Sequence, residues 1–151
     1  MPVDYHIHTY RCGHAVGEME EYVLEAKRKG LLEIGFSDHI PMYFLPPGER
    51  DPEIAMPEQE LAAYVAEVRA IQQKFAPYPV KLGIEADFAP GMGKELKGII
   101  DRFDFDYVLG SIHFIDGWGF DNPQYIDEYQ RRDITEIYGQ YFDALRQAAA
   151  S

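Results

Sequence analysis

The sequence predicts an α/β fold of about four βα units with a parallel sheet, forming the N-terminal part of a barrel. Short apolar runs alternate with segments whose apolar residues recur at helical spacing, a pattern typical of βα units. The chain has 151 residues, enough for one domain with a sizeable core. A closed barrel of eight such units needs about 250 residues, so we expect this chain to form about half of one.

The first two units are predicted within residues 3–57. Residues 3–8 read as a strand, and residues 18–29 as a helix that Gly30 ends. Residues 32–36 form the second predicted strand. The loop that follows, at residues 41–57, is rich in proline and carries two aromatic residues. It is either a lid over a site or a plain connection, since long loops in compact domains are often functional.

The remaining units alternate in the same way. Residues 80–85 are a third strand, residues 93–103 a short helix and residues 106–113 a fourth strand. Asp133 and Glu136 form a capping-box pattern that predicts the start of a last helix. Between the second and third strands, one apolar face predicts a further helix, with Leu61, Tyr64, Val65, Val68, Ile71 and Phe75.

Charge and cysteine content narrow the class of function. The chain has 14 basic and 26 acidic residues, a formal charge of −12, and such a field repels a nucleic-acid backbone. Cys12 is the single cysteine, which rules out a disulfide within the chain and fits a reducing, cytoplasmic setting. The first residues carry no signal-peptide pattern, and no apolar run is long enough for a membrane span. We therefore expect a soluble, cytoplasmic protein without a nucleic-acid or membrane partner.

The five histidines are the strongest functional signal. His6 and His8 are two apart on a predicted strand, so both imidazoles project from one face and can chelate one ion. Taken alone, such a pair is a weak indication of a metal site, because packing or surface placement is as compatible with it.

The positions of the other histidines strengthen the metal hypothesis. His39 follows the second predicted strand, Glu85 ends the third and His113 ends the fourth. In a parallel sheet these strand ends share one rim, where active sites form. His14 follows the first strand, and Gly13 allows the backbone to turn back toward the rim. This pattern favours a metal-assisted hydrolase over structural histidines.

The type of ligand indicates which ions are expected. Imidazoles and carboxylates suit Zn, Mn or Fe, and two such ions could share Glu85 as a bridge. Ions of this kind activate water and stabilise a phosphate oxyanion, which indicates phosphate-ester hydrolysis. Cys12 could bind metal, although a small buried apolar role is favoured. Asp87 shares a strand face with Glu85 but is expected past the strand end, where it could simply accept backbone hydrogen bonds.

Five short motifs, in order along the chain, resemble those of the PHP (polymerase and histidinol phosphatase) family. They are residues 4–9 (DYHIHT), 12–14 (CGH), 35–39 (GFSDH), 83–88 (GIEADF) and 110–114 (GSIHF). Residues 105–107 (FDY) and 118–123 (WGFDNP) resemble the histidinol-phosphatase branch in particular. The resemblance extends from about residue 4 to residue 151.

This resemblance implies a distorted (β/α)7 barrel with a trinuclear metal cluster at the strand ends. The implied metal ligands are His6, His8, His14, His39, Glu85 and His113. His6 and His8 would hold one ion, which Glu85 would join to a second ion on His113. His14 and His39 would hold the third. Asp38 is assigned a catalytic role, in which it orients a ligand.

The implied reaction is hydrolysis of L-histidinol phosphate to L-histidinol and phosphate in histidine biosynthesis. The family's sequences also supply three later ligands and phosphate-binding arginines that this chain lacks. Only Arg11, Lys81 and Arg50 remain as weak candidates for phosphate binding. We therefore expect residues 1–151 to be a partial PHP domain, completed by a missing C-terminal half or by a homo-oligomer, with little turnover alone. The alternatives are another PHP phosphoesterase or nuclease, and a catalytically incomplete metal-binding fragment.

Overall fold

A computed structural model describes residues 2–151 as an α/β chain in which strands and helices alternate. The strands are β1 (Val3–Ile7), β2 (Glu33–Phe36), β3 (Val80–Asp87), β4 (Tyr107–Ser111), β5 (Phe114–Ile115) and β6 (Trp118–Gly119). The α-helices are α1 (Met19–Arg28), α2 (Leu61–Phe75), α3 (Gly93–Ile100) and α4 (Ile134–Ala149). Short 3₁₀ helices span Tyr10–Cys12, Pro47–Glu49, Glu58–Glu60 and Pro123–Gln130.

The first four strands form one parallel sheet in the order β1-β2-β3-β4. It curls into half of a barrel, which confirms the predicted fold class. The two central strands are almost entirely buried, whereas exposed and partly buried residues alternate along β4. Burial of this kind is expected where helices and loops cover the centre of a parallel sheet.

Helices α1 and α2 supply much of the main hydrophobic core. Val23 of α1 and Val68 of α2 are fully buried, and they belong to one cluster with Ile34 and Leu82 of the central strands. Tyr64 of α2 is also fully buried, and its hydroxyl donates to the carbonyl of Gly83 at 2.8 Å. The second helix is therefore tied to the strand that carries the candidate site.

Several element boundaries differ from the sequence prediction. Strand β3 continues through Glu85 to Asp87, because that residue pairs with Ser111 of β4. Strand β4 ends at Ser111, so the prediction that it reaches His113 was wrong. The physical reason is that the backbone N–H of His113 donates to the carboxylate of Asp87 at 3.1 Å, which takes it out of the ladder. Helix α3 stops at Ile100, earlier than predicted.

A small antiparallel hairpin, β5-β6, follows β4 and was absent from the prediction. Its turn is Asp116-Gly117, and both residues have positive φ, 50° and 76°. Asp-Gly is a recognised signal for such a tight hairpin turn, so the sequence contained the information. The hairpin places Ile115 and Trp118 in a second, smaller buried cluster with Ile137 of α4.

Strand β4 forms one edge of the parallel sheet. Within residues 2–151 it pairs with β3 alone, and Val108 on it is 43% exposed. An unpaired edge was expected from four βα units, and such an edge readily pairs with another strand. None of the helices between residues 2 and 151 has the length and apolar character of a membrane span.

One tyrosine ties the sheet together across its strands. The ring of Tyr107 lies against Gly35 of β2 and Gly83 of β3, and a Cβ atom at either glycine would come within 2.4 Å of it. Its hydroxyl donates to the carbonyl of Tyr5 at 2.7 Å and also contacts the carbonyl of Phe36. Because these hydrogen bonds hold the ring, it cannot move aside freely for a larger neighbour.

We expect Gly83→Ala to destabilise the fold by about 1–3 kcal/mol, the usual cost of overpacking. Chemical denaturation would measure the change in the free energy of unfolding. Gly110→Ala on β4 is the matched control, because an added Cβ there meets no atom within 4 Å. Equal effects of the two substitutions would contradict the proposed role of Tyr107.

Candidate metal centre

The predicted site residues lie together at the carboxyl ends of the parallel strands. His6 lies within β1, Glu85 lies near the end of β3, and His39 and His113 follow β2 and β4. We call the five rings of His6, His8, His14, His39 and His113 the imidazole cluster. Their centroids form a connected series, with neighbouring rings 4.6–5.5 Å apart. The strand-end argument thus predicted this grouping.

The carboxylate of Glu85 is the centre of the cluster. Its Oε2 atom lies 3.0 Å from Nε2 of His6, 3.3 Å from Nε2 of His8 and 3.3 Å from Nδ1 of His39. Its Oε1 atom lies 3.6 Å from Nε2 of His113. The Glu85 side chain is only 3% exposed. Both carboxylate oxygens therefore face imidazole nitrogens from three different strand ends.

Backbone pairing holds His39 beside this carboxylate. His39 and Glu85 form an isolated parallel bridge beyond the end of β2. The amide of Ile40 donates to the carbonyl of Glu85 at 2.8 Å, and the amide of Glu85 donates to the carbonyl of Asp38 at 3.0 Å. Residues 38–40 therefore continue the parallel pairing with β3 beyond the end of β2.

His14 reaches the cluster from a turn. Gly13 has φ of 77°, and a Cβ atom there would lie 2.4 Å from the backbone oxygen of Glu53. A glycine is needed at this position for both reasons. The His14 ring packs against the His39 ring with centroids 4.8 Å apart. His14 contacts the cluster through the rings of His8 and His39, and it lies farther from Glu85 than the other four histidines do.

Asp87 has a larger role than the sequence suggested. It lies on β3 rather than past its end, and its Oδ1 atom is 2.8 Å from Nδ1 of His113. The carboxylate accepts a hydrogen bond from Nδ1–H and leaves Nε2 facing Glu85. This arrangement is typical of metal-binding histidines. The sequence placed Asp87 on the same strand face as Glu85, but the prediction that the strand ends at Glu85 gave no reason to expect its contact with His113.

Asp38, predicted to be catalytic through orienting a ligand, is fully buried one layer below the cluster. Its carboxylate accepts hydrogen bonds from the backbone and hydroxyl of Thr9 and from the thiol of Cys12. Within residues 2–151 its hydrogen bonds include none to an imidazole. Its reach to the cluster therefore passes through a neighbour, and its catalytic role stays a prediction.

The electrostatics of the cluster are dominated by Glu85. Burial alone raises the pKa of this carboxyl, but hydrogen bonds from His8 and His6 and the nearby His39 outweigh burial and lower the pKa to about 2. For His8, burial alone lowers the pKa, because it disfavours the charged imidazolium, but hydrogen bonds with Cys12 and Glu85 outweigh burial and raise the pKa to about 10. Burial lowers the pKa of His39 to about 3. Without metal, the cluster therefore contains a carboxylate, at least one imidazolium and a neutral imidazole.

The donor set fits divalent cations. A buried carboxylate surrounded by imidazole nitrogens supplies the ligands that zinc and related ions prefer. Three groups have ligand atoms within 4.8 Å of one another: His6, His8 and Glu85; His39, Asp87 and His113; and His8, Cys12 and His14. The cluster thus has room and ligands for more than one ion.

A cavity of about 250 Å³ adjoins the cluster. His14, His39 and His113 form one wall, and Phe114 is among the apolar lining residues. Carboxylates from residues 51, 53, 87 and 121 also line it. A small organic molecule can therefore lie beside the imidazoles.

The nearby cations considered for phosphate binding are engaged elsewhere. Arg11 is held by Glu60 and by Glu67, the latter at 2.7 Å. Arg50 donates to the backbone carbonyls of residues 43 and 45, and Lys81 lies 3.9 Å from Glu33. Each of these three side chains is bound to another group, so they do not form a phosphate-binding site beside the imidazole cluster.

We expect the metal-free chain to lose stability as the pH falls from 4.5, the ordinary pKa of a glutamate, to about 2, the pKa of Glu85 in the fold. A lowered folded-state pKa stabilises the fold above the ordinary pKa, and this contribution disappears as the pH drops through the folded value. Urea unfolding at stepped pH values would measure it. Glu85→Gln should flatten the decline, whereas the exposed control Glu95→Gln should retain it. A decline that is the same in all three chains would contradict the assignment.

Comparisons with known proteins agree on one family. The PHP domain family matches residues 4–151. The chain is 43% identical over 149 residues to a probable histidinol-phosphatase of Deinococcus radiodurans, covering 98% of this chain and 56% of that protein. It is 31% identical over 152 residues to a histidinol-phosphatase of Lactococcus lactis, covering 92% of this chain and 54% of the relative. The chain therefore spans about half the length of these relatives.

Solved structures give the same result. A Lactococcus lactis histidinol phosphate phosphatase, complexed with zinc, L-histidinol and phosphate, superposes with a TM-score of 0.64 at 27% identity, over 77% of this chain and 41% of that one. A putative histidinol phosphatase of Listeria monocytogenes gives a TM-score of 0.66 at 25% identity, over 78% of this chain and 47% of that one. From its sequence, its fold and its strand-end histidines, this chain belongs to the PHP domain family.

Proposed function

We propose that this chain carries metal-binding residues of a phosphatase that hydrolyses L-histidinol phosphate to L-histidinol and phosphate. The observation that carries the proposal is the buried Glu85 carboxylate, which faces nitrogen atoms of four imidazoles at 3.0–3.6 Å. The proposed metal ligands are His6, His8, His14, His39, Glu85 and His113. The relatives named histidinol-phosphatase support the choice of substrate.

Zinc is the first candidate for the ion, since the Lactococcus lactis structure is a zinc complex; Mn and Fe suit the same ligands. We propose that His6 and His8 hold one ion, that His113 holds a second joined to it by Glu85, and that His14 and His39 hold a third. Bound divalent ions lower the pKa of a water molecule and neutralise charge on phosphate oxygens.

The chain's own residues then have distinct tasks. Glu85 holds several imidazoles in one place, and Asp87 accepts a hydrogen bond from Nδ1–H of His113 so that Nε2 faces inward. The adjoining cavity accepts the organic part of the substrate, with Phe114 as an apolar wall beside His113. The lining carboxylates of residues 51, 53 and 121 suit a ligand that carries a positive charge, as an amino alcohol does.

A second candidate is metal binding without turnover by these residues alone. The observation that favours it is the engagement of Arg11, Arg50 and Lys81 in other contacts. Phosphate recognition would then depend on groups outside residues 2–151. A nuclease activity is less favoured, because the formal charge of −12 repels a nucleic-acid backbone.

Two preparations test the function: the 151-residue chain, and a chimera in which residues 4–151 replace the matching segment of the Deinococcus radiodurans relative. Both are loaded with zinc and assayed with histidinol phosphate, an aryl phosphate and single-stranded DNA. We expect the chimera to hydrolyse histidinol phosphate preferentially and Glu85→Gln to abolish that activity. Zinc binding without turnover by the short chain supports the second candidate for that chain. A zinc-loaded chimera that cleaves DNA but not histidinol phosphate would refute the proposed substrate.

We expect Asp87→Ala to weaken zinc binding by about 10–100-fold, the usual effect of removing a carboxylate that orients a metal-bound histidine. Competition with a chromophoric chelator would measure the affinity. Asp127→Ala is the control, because it removes an equal charge from an exposed position that belongs to none of the three ligand groups. Unchanged affinity in Asp87→Ala would contradict the role of Asp87 in orienting His113 for metal binding.

A further inference from the structure

A buried path of polar atoms runs from Asp38 through Cys12 to His8. The Cys12 side chain is fully buried. Its Sγ atom lies 3.4 Å from Nδ1 of His8, 3.5 Å from Oδ1 of Asp38 and 3.5 Å from the carbonyl oxygen of Thr9. Asp38 is also fully buried. The sulfur is therefore enclosed between acceptor oxygens on one side and an imidazole on the other.

The chemistry of these groups assigns the direction of each hydrogen bond. A carboxylate and a backbone carbonyl accept hydrogen bonds and cannot donate them. The thiol proton of Cys12 therefore points toward Asp38 or Thr9. The lone pairs of the sulfur are then free to accept a hydrogen bond from Nδ1–H of His8.

We propose that Cys12 is a positioning residue for His8, an inference that rests on the proposed metal centre. By accepting a hydrogen bond from Nδ1–H, the sulfur fixes the orientation of the ring and leaves Nε2 for a metal ion. That nitrogen is the one that lies 3.3 Å from Oε2 of Glu85. Asp38 acts one step further away, as one of the two acceptors that the thiol proton can face.

The arrangement parallels the one at His113. There, the carboxylate of Asp87 contacts Nδ1 directly at 2.8 Å. At His8, the buried carboxylate lies too deep for direct contact, and the thiol fills the intervening position. In both His8 and His113, Nδ1 is thus hydrogen-bonded on the side of the ring opposite Glu85, by a thiol in one case and by a carboxylate in the other.

The geometry also distinguishes this role from direct metal binding by Cys12. The sulfur contacts Nδ1 of His8, whereas the shared carboxylate contacts Nε2, across the ring. An ion bound to Nε2 beside Glu85 is separated from the sulfur by the imidazole itself. The sulfur is therefore not a ligand of that ion. The competing arrangement is a separate ion shared by His8, Cys12 and His14, whose ligand atoms lie within 4.8 Å of one another.

The test compares Cys12→Ala, Cys12→Ser and the wild-type chain, with Val23→Ala as a control for lost packing. Val23 is fully buried in the main core, on α1. Zinc affinity is measured by chelator competition, and the His8 ring nitrogens are followed by ¹⁵N NMR. We expect Cys12→Ala to weaken zinc binding by about 10–100-fold and to lose a slowly exchanging Nδ1 proton. Cys12→Ser should recover most of both, since a hydroxyl also donates and accepts. Val23→Ala should lower stability and leave zinc affinity unchanged.

Three results would overturn the proposal. The first is wild-type zinc affinity in Cys12→Ala, and the second is an unprotected His8 Nδ1 in the wild-type chain. The third is an intense thiolate-to-metal absorption band in the cobalt-loaded wild-type chain that disappears in Cys12→Ser, which would make Cys12 a ligand. If the wild-type chain binds no zinc at all, the proposed function fails, while the Nδ1 proton in the metal-free chain still decides the role of Cys12.

Discussion

The buried carboxylate of Glu85 is the constraint around which the rest of the site is arranged. An ionised carboxylate that is 3% exposed is costly unless charged or hydrogen-bonding groups surround it. Imidazole nitrogens from three strand ends fill that need, and they hold its pKa at about 2. The same nitrogens are good ligands for divalent ions. The groups that stabilise Glu85 in the metal-free chain are therefore those that an ion would use.

Strand β3 brings this carboxylate to the centre because it is the longest strand and pairs on both sides. Its register with β4 places Asp87 opposite Ser111, and the chain that leaves β4 then folds His113 onto Asp87. The bridge between His39 and Glu85 continues β2 on the other side. The positions of Glu85, His39 and His113 are thus extensions of the sheet's hydrogen bonding, so rigid elements support this part of the site.

The balance of charge shapes what the site can bind. The proposed substrate, a phosphate monoester, is an anion, and the chain is strongly acidic, with a formal charge of −12. The three basic side chains considered as phosphate ligands are paired or bound to backbone carbonyls. Bound divalent cations would therefore supply the positive charge that attracts the phosphate. The carboxylates in the adjoining cavity are suited to the cationic part of such a substrate.

Much of the fold and of the grouping of candidate residues followed from the sequence. Alternating apolar patterns identified the four parallel strands and the helices between them, since burial on a sheet or a helix imposes a definite period. The rule that parallel strands end at one rim then predicted the meeting of His6, His39, Glu85 and His113. The Asp-Gly turn of the hairpin carried a usable signal too, but strands of two residues are too short for periodicity to reveal.

The tertiary structure decided the contacts that depend on register and depth. Whether Asp87 lay inside β3 depended on its pairing with Ser111, a contact between residues 24 positions apart. The place of Cys12 between Asp38 and His8 depended on how a turn after β1 packs over the end of β2. Local sequence determines which elements form, because propensity and burial period act over a few residues. Which polar atoms face each other is determined by the packing of distant segments, and that is where the chemistry of this site resides.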